Sequence, residues 1–208
     1  MGKNIGPKNK IARRFRTNLG LKTNPAKVAR RLGQAPGVHG PKKKGVGSKS
    51  SFGRQLLEKQ KAKLIYGMRE RQFSRFVAEA TRQHGDSAIH LLQMLEMRFD
   101  NVIYRLGIGS TRAQARQFVN HSMFTLNGKR MNVPSHLVQV GDVIALKANK
   151  EKKGPFVDLS EKLSKAVLPS WLSVDPAAKT AKVLSKPIEK DFDRVFDVKL
   201  IIEYYSAR

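Results

Sequence analysis

The chain has 208 residues, of which 41 are lysine or arginine and 16 are aspartate or glutamate, so its formal net charge is +25. A chain of this length can form one or two small domains, and so large an excess of positive charge predicts a polyanionic partner. Nucleic acid and an anionic membrane are the two candidates, and apolar runs such as Val143–Leu146 are far too short to span a bilayer, which favours nucleic acid. The lack of cysteine excludes disulfides and thiolate metal sites.

Residues 1–51 are predicted to form an extended basic arm. No aspartate or glutamate occurs before Glu58, and the arm contains many glycines and few large apolar residues. Such a segment cannot bury enough apolar surface to fold far by itself, but it can become ordered when phosphates neutralise it. The basic residues of the arm and its junction that we assign to RNA binding are Lys3, Lys8, Lys10, Arg13, Arg14, Lys42, Lys43, Lys44, Lys49 and Arg54.

Residues 52–97 are predicted to be a helical domain. Apolar residues repeat at helical spacing over residues 51–65 and again over residues 73–80. The pair Gly85-Asp86 should end the second helix, and a third helix should run over residues 87–106. The basic residues of this domain that we assign to RNA binding are Arg69 and Arg71.

Residues 98–160 are predicted to form a small RNA-binding domain made of two helices, a hairpin and one more strand. Gly107 should cap the first helix, and Thr111 should begin the second because its hydroxyl can accept the Gln114 N–H in a capping box. The pair Asn127-Gly128 predicts a tight hairpin turn, since both residues tolerate positive φ.

The basic residues of this domain are spaced to lie on one face. Arg112 and Arg116 are four residues apart and therefore share one side of a helix, while Lys129 and Arg130 follow the hairpin turn directly. The helix that begins at Thr111 should also direct backbone N–H groups and its positive dipole end outward, as phosphate sites do. The residues of this domain that we assign to RNA binding are Arg98, Arg105, Thr111, Arg112, Arg116, His121, Lys129 and Arg130.

Residues 161–208 are predicted to be a C-terminal segment that ends in a strand over residues 197–205, where apolar residues cluster. The predicted fold class is therefore α+β, with a mainly helical N-terminal part, a basic arm and a small helix-helix-hairpin domain. We expect this fold to recognise RNA chiefly by shape and phosphate contacts, because folded RNA hides most of its base edges.

Several runs of the sequence are distinctive. Residues 91–107 read LLQMLEMRFDNVIYRLG, residues 110–117 read STRAQARQ, and residues 126–130 read LNGKR. Shorter runs extend in order from GPK near the start to EYYS near the end. Together they closely resemble the small-subunit ribosomal protein four family of the bacterial or organellar type, over nearly the whole chain.

This resemblance implies a definite function. Family members contain an RNA-binding domain of the alpha-L type and bind small-subunit rRNA early in assembly, at a junction of helices in the 5′ domain. They lie beside small-subunit protein five and other small-subunit proteins, near the channel through which mRNA enters, and affect translational accuracy. The resemblance thus implies a structural constituent of a cytoplasmic or organellar small subunit, with no catalytic residues and no cofactor.

The chain departs from many family members at a zinc site near the N-terminus. Asn9 and Ala12 stand where such members have cysteine, and neither is a credible zinc ligand. His39 is the remaining candidate, and a single histidine does not make a site. The sequence therefore predicts no bound metal, as in the zinc-free branch of the family.

The sequence disfavours two other functions. Arg98-Phe99-Asp100 superficially resembles a pseudouridine synthase signature, but Asp100 falls within an apolar helical pattern and about fifty residues after Ser160 are too few for a catalytic domain. No cofactor loop or nucleophile–base set is visible either. A stand-alone RNA chaperone or ribosome-rescue factor is disfavoured by the long arm and the helical residues 51–97. Co-sedimentation with small subunits at high salt would separate these readings.

Overall fold

The computed structural model describes residues 6–30, 32–39, 50–151, 154–193 and 195–207. Five residues predicted to bind RNA lie outside this part of the chain, namely Lys3, Lys42, Lys43, Lys44 and Lys49. The α-helices are α1 (Lys8–Phe15), α2 (Pro25–Ala29), α3 (Ser51–Ile65), α4 (Glu70–Arg82), α5 (Ser87–Glu96), α6 (Phe99–Arg105), α7 (Arg112–Asn120), α8 (Leu159–Lys165) and α9 (Val198–Ser206). The strands are β1 (Phe124–Leu126), β2 (Lys129–Met131), β3 (Val143–Leu146), β4 (Leu172–Asp175) and β5 (Thr180–Val183).

The chain divides into two compact units. The first contains Met1–Leu91 together with Asp193–Arg208, and the second contains Leu92–Phe192. This division differs from the predicted one, because the C-terminal segment is shared between the units. Its first part supplies α8, β4 and β5 to the second unit, and its last part supplies α9 to the first unit.

The first unit contains the predicted helical region. The apolar spacing over residues 51–65 forms α3, whose first turn is capped by the Ser50 side chain, which accepts the Gly53 N–H. The second apolar series forms α4, with Phe73, Val77 and Ala80 buried on one side. These two helix predictions are confirmed.

The predicted C-terminal strand is wrong, because residues 198–206 form helix α9. The Asp197 side chain accepts the Lys199 N–H at the start of this helix. Val198, Ile201 and Tyr204 recur every three residues, so they share a buried face, and α9 packs against α3. The β-branched and aromatic residues of this run favour a strand locally, but packing against α3 determines the outcome.

A buried lysine joins three helices of the first unit. Lys59 on α3 pairs with Glu70 at the start of α4 at 2.7 Å, and its Nζ lies 4.3 Å from the centre of the Tyr204 ring on α9. Glu70 also accepts the Tyr205 hydroxyl at 2.7 Å and Lys63 at 2.9 Å. Burial raises the pKa of Glu70, but the hydrogen bonds from Lys59, Lys63 and Tyr205 outweigh it and lower the pKa to about 2.

The second unit is built on an antiparallel sheet of strand order β2-β1-β3-β5-β4. One face of the sheet carries buried side chains such as Phe124 and Ile144, and these pack with α6, α7 and the fully buried Trp171. The predicted hairpin is confirmed, with Thr125 paired to Arg130 and with positive φ at both Asn127 (49°) and Gly128 (76°).

The single helix predicted over residues 87–106 is in fact two helices. Arg98 is extended between α5 and α6, with φ of −65° and ψ of 136°. Backbone bonds from distant residues hold this break, because the Phe99 N–H donates to the His136 carbonyl and the Val138 N–H donates to the Met97 carbonyl. Neither glycine nor proline marks the site, so the apolar pattern continues through it. No helix in the described residues is long and apolar enough to cross a membrane.

Candidate nucleic-acid interface

The β1–β2 hairpin carries two exposed basic side chains, one lysine and one arginine. Lys129 and Arg130 are exposed on β2, which is an edge strand of the sheet. Within the described part of the chain, neither side chain makes an ion pair or a side-chain hydrogen bond. The turn is fixed by Asn127, whose amide donates to Asp142 at 2.7 Å and whose Oδ1 accepts the Val143 N–H at 2.8 Å. Lys129 pairs with the buried Leu126 and Arg130 pairs with Thr125, so the two cations project to opposite faces of the sheet at its edge.

At the start of α7, two backbone N–H groups donate hydrogen bonds to side chains of this chain. The Thr111 hydroxyl accepts the Gln114 N–H at 3.2 Å, as the capping box predicts. The reciprocal bond differs, because the Gln114 side chain accepts the N–H of Ser110 at 2.8 Å rather than that of Thr111. Thr111 is buried, so its hydroxyl serves the helix.

Gly109 permits the close approach of the chain to α7. A Cβ atom at this position would lie 2.9 Å from the backbone nitrogen of Ala115. Any side chain larger than hydrogen would therefore displace α7 from the loop that precedes it. The glycine thereby sets the position of α7 next to this loop.

Glu96 organises one group of arginines in the second unit. Its buried carboxylate accepts the Nε and Nη2 of Arg105 at 2.7 and 2.9 Å, and the Asn101 amide at 2.8 Å. The Nε of Arg112 donates to Asn101 Oδ1 at 2.8 Å, and its guanidinium lies 4.4 Å from the centre of the Tyr104 ring. Arg105 and Arg112 are therefore held by partners within the chain.

Asp100 organises a second group. Its carboxylate accepts the Nε and Nη2 of Arg98 at 3.1 and 2.8 Å and pairs with Nη1 of Arg116 at 3.3 Å. Burial lowers the pKa of Arg116, the charge of Asp100 raises it, and the charge of Arg98 lowers it further. The net pKa is lowered, but an arginine remains charged at any ordinary pH.

These two groups revise the interface predicted from the sequence. Arg112 and Arg116 both reach residues of α6, so their common side of α7 faces that helix rather than open solvent. Their side chains are only 12% and 14% exposed, and that of Arg105 is 16% exposed. The side chain of Arg98, which is also predicted to bind RNA, has no exposed surface in this structure and pairs with Asp100.

Asp100 has a structural environment rather than a catalytic one. Its carboxylate is 6% exposed and lies between two guanidinium groups. A nucleophile must reach its substrate, and this one is enclosed by its own ion pairs. The resemblance of this run to a pseudouridine synthase signature therefore has no counterpart in the geometry.

The predicted residues outside this domain differ in their exposure. Arg13 donates to the backbone carbonyls of Gln34 and Ala35 at 2.9 and 2.8 Å, so it also stabilises the fold of the arm. Lys8 is partly buried. The other predicted residues that the structure describes in the first unit are exposed, namely Lys10, Arg14, Arg54, Arg69 and Arg71. His121 of the second unit is also exposed.

Sequence reasoning missed Glu96 and Asp100, the carboxylates that hold the arginines. Arg116 lies sixteen residues after Asp100, so no local spacing links the pair. Arg75 and Arg82 on α4 are exposed as well, and they stand four and eleven residues after Arg71, so helical spacing places the three on one side of α4. In the described residues no group of three or more histidine, aspartate or glutamate side chains is placed to hold a metal ion.

Comparison with known proteins assigns both parts of the chain to ribosomal protein families. Residues 97–144, which include α6, α7 and the hairpin, match the S4 domain, and residues 3–96 match the ribosomal protein S4/S9 N-terminal domain. These two matches define a ribosomal protein built on an S4 domain, which is a class of structural proteins and not of enzymes.

Relatives identify the particular family. The chain is 42% identical to the small ribosomal subunit protein uS4 of Leptothrix cholodnii over 99% of its own length and 100% of the relative's. The corresponding proteins of Herpetosiphon aurantiacus and Roseiflexus castenholzii are 44% and 41% identical, with the same coverage. The chain belongs to the uS4 family of small ribosomal subunit proteins.

Proposed function

We propose that this chain is a structural constituent of the small ribosomal subunit that binds small-subunit rRNA directly. The observation that carries the proposal is the pair of exposed cations, Lys129 and Arg130, on a rigid hairpin of an S4 domain. Family membership and the net charge of +25 support it. Binding would neutralise part of this charge and release counterions from the RNA.

The hairpin is suited to phosphate and 2′-hydroxyl groups rather than to base edges. Its two long cationic side chains project from an edge strand, and an A-form RNA groove that displays base edges is shallow and lined by 2′-hydroxyls. Asn127 fixes the turn from which the side chains project, so little backbone entropy is lost on binding. Arg98, Arg105, Arg112 and Arg116 outnumber the carboxylates of Glu96 and Asp100, so the two groups keep a net positive charge that would also attract RNA.

We further propose the finer role that the family resemblance implies. The chain would bind the 5′ domain of small-subunit rRNA early and help to nucleate its assembly. It would then contact small-subunit protein five, other small-subunit proteins and mRNA near the channel through which mRNA enters, and would affect accuracy through protein five. Its location would be the cytoplasmic ribosome or that of an organelle.

The test compares binding to a 5′-domain rRNA transcript and to an equally long transcript from another rRNA domain, over a range of KCl concentrations. The variant Lys129→Gln/Arg130→Gln should bind the 5′-domain transcript more weakly, and the slope of log affinity against log salt should fall by about two units. The matched control is Lys186→Gln/Lys190→Gln, which removes the same charge from exposed positions of the same unit.

The possible outcomes separate the two parts of the proposal. Equal affinity of the unaltered chain for both transcripts would contradict 5′-domain binding. An unchanged slope for the hairpin variant, or an equal loss in the control, would contradict the role of the hairpin.

A further inference from the structure

Three arginines form a line on the exposed side of α4, in the first unit. Arg71, Arg75 and Arg82 are all exposed, and at 3.6 residues per turn they lie within about 40° of one another around the helix. The buried residues Phe73 and Val77 lie on the opposite side. We call Arg71, Arg75 and Arg82 the α4 arginine stripe.

The stripe has little internal neutralisation. In the described part of the chain, none of its three side chains makes an ion pair or a side-chain hydrogen bond. Of the two acidic residues on α4, Glu70 is held by Lys59 and Lys63, so its charge is directed towards α3. Glu79 is exposed beside the stripe and offsets at most one of the three charges. An uncompensated row of like charges on an ordered helix indicates an anionic partner.

We propose that the α4 arginine stripe is a second RNA-binding surface, which lies along the phosphodiester backbone of one strand. At 1.5 Å per residue, Arg71 and Arg82 are about 16 Å apart along the helix axis. A strand carries one phosphate per nucleotide, so a stripe of this length can follow several successive phosphates of one strand. Arginine binds phosphate through two parallel N–H groups, which suits it to this partner.

The make-up of this face favours RNA over an acidic protein segment. Its three arginines are separated by four and then by seven residues, so the cations follow one line along the helix. Apart from Ala78, the positions between them on this face offer no apolar residue that would anchor a peptide. The inference rests on the proposed function, since it adds a contact to the same rRNA ligand.

Salt dependence provides the first test, with the full-length chain and the 5′-domain transcript. The variant Arg71→Gln/Arg75→Gln/Arg82→Gln should reduce the salt slope by about 2.7 units if each arginine contacts a phosphate. Between 50 and 200 mM KCl, the factor by which its affinity falls should therefore be about 40 times smaller than the factor for the unaltered chain. Glutamine is a good helix former and the positions are exposed, so an unchanged circular dichroism spectrum and unfolding midpoint are expected.

The matched control is Lys182→Gln/Lys186→Gln/Lys190→Gln, which also removes three charges but from exposed positions in the second unit. The inference would be overturned if the stripe variant kept the unaltered chain's slope of log affinity against log salt, or if the control lowered this slope equally. Failure of the unaltered chain to prefer the 5′-domain transcript would instead overturn the proposed function. Loss of binding to an acidic ribosomal protein with an unchanged RNA slope would assign the stripe to a protein partner and overturn the inference.

Tethered cleavage gives a direct second readout. The chain has no cysteine, so Ala78→Cys would place a single iron–EDTA reagent in the middle of the stripe. We expect hydroxyl-radical cuts confined to a short stretch of the bound rRNA. A complex that forms normally but shows no cuts from this position would contradict the inference.

Discussion

The substitution Asp100→Asn tests whether the second unit depends on its buried ion pairs. It keeps the shape of the side chain but removes the negative charge that faces Arg98, whose side chain is fully buried, and Arg116. Leaving a buried charge without its partner typically costs about 3–5 kcal/mol, so we expect a loss of this size in the free energy of unfolding.

Urea unfolding followed by tryptophan fluorescence measures this loss. Trp171 is the only tryptophan of the chain and is fully buried in the second unit, so its emission reports on that unit. The control is Glu151→Gln, which removes the partner of Lys179 in a more exposed pair, where about 0–1 kcal/mol is expected.

A second variant tests whether the unpaired charge of Arg98 causes the loss in the free energy of unfolding. In Arg98→Met/Asp100→Asn the buried positive charge is also gone, so the double variant should be more stable than Asp100→Asn alone. A loss below about 1 kcal/mol for Asp100→Asn, or a double variant that is less stable than the single one, would refute the argument.

Two further predictions concern packing and pH. Gly109→Ala should lower the free energy of unfolding by about 1–3 kcal/mol in the same fluorescence assay, because the new Cβ would lie 2.9 Å from the Ala115 nitrogen. The comparison is Gly128→Ala, where the Cβ would meet open space but φ is positive. An unchanged free energy of unfolding in Gly109→Ala would contradict the steric argument. The pKa of Glu70 is lowered from 4.5 to about 2, so its contribution to the first unit should be full above pH 4.5 and lost as the pH falls towards 2. Urea unfolding followed by circular dichroism should therefore show a free energy of unfolding that falls from pH 6 to pH 3, and the fall should be smaller in Glu70→Gln than in the unaltered chain. Equal falls in the two proteins would rule out this role of Glu70.

Local signals in the sequence predicted several elements of the fold. The apolar spacing of α3 and α4 and the pair Asn127-Gly128 depend on residues close together in the chain, so a single sequence reveals them. The capping of α7 by Thr111 is local in the same way. The turn and the cap form the hairpin and begin α7, and both of these elements belong to the candidate interface.

Long-range contacts determine what the sequence did not reveal. The break at Arg98 is held by backbone bonds from residues 134–138, and α9 is helical because it packs on α3. The arginines of α6 and α7 were predicted to face solvent, since a basic residue is usually exposed. Their carboxylate partners are buried and distant in sequence, so this side of α7 could be recognised only in the folded chain.

The most direct test of the account is acetylation of lysines in the free chain and in its complex with small-subunit rRNA, quantified by mass spectrometry. We expect Lys129 on the hairpin to be protected by the RNA, while the exposed Lys186 and Lys190 of the same unit stay reactive. If Lys129 is modified as fast in the complex as in the free chain, the hairpin does not contact the RNA, and the central claim is contradicted.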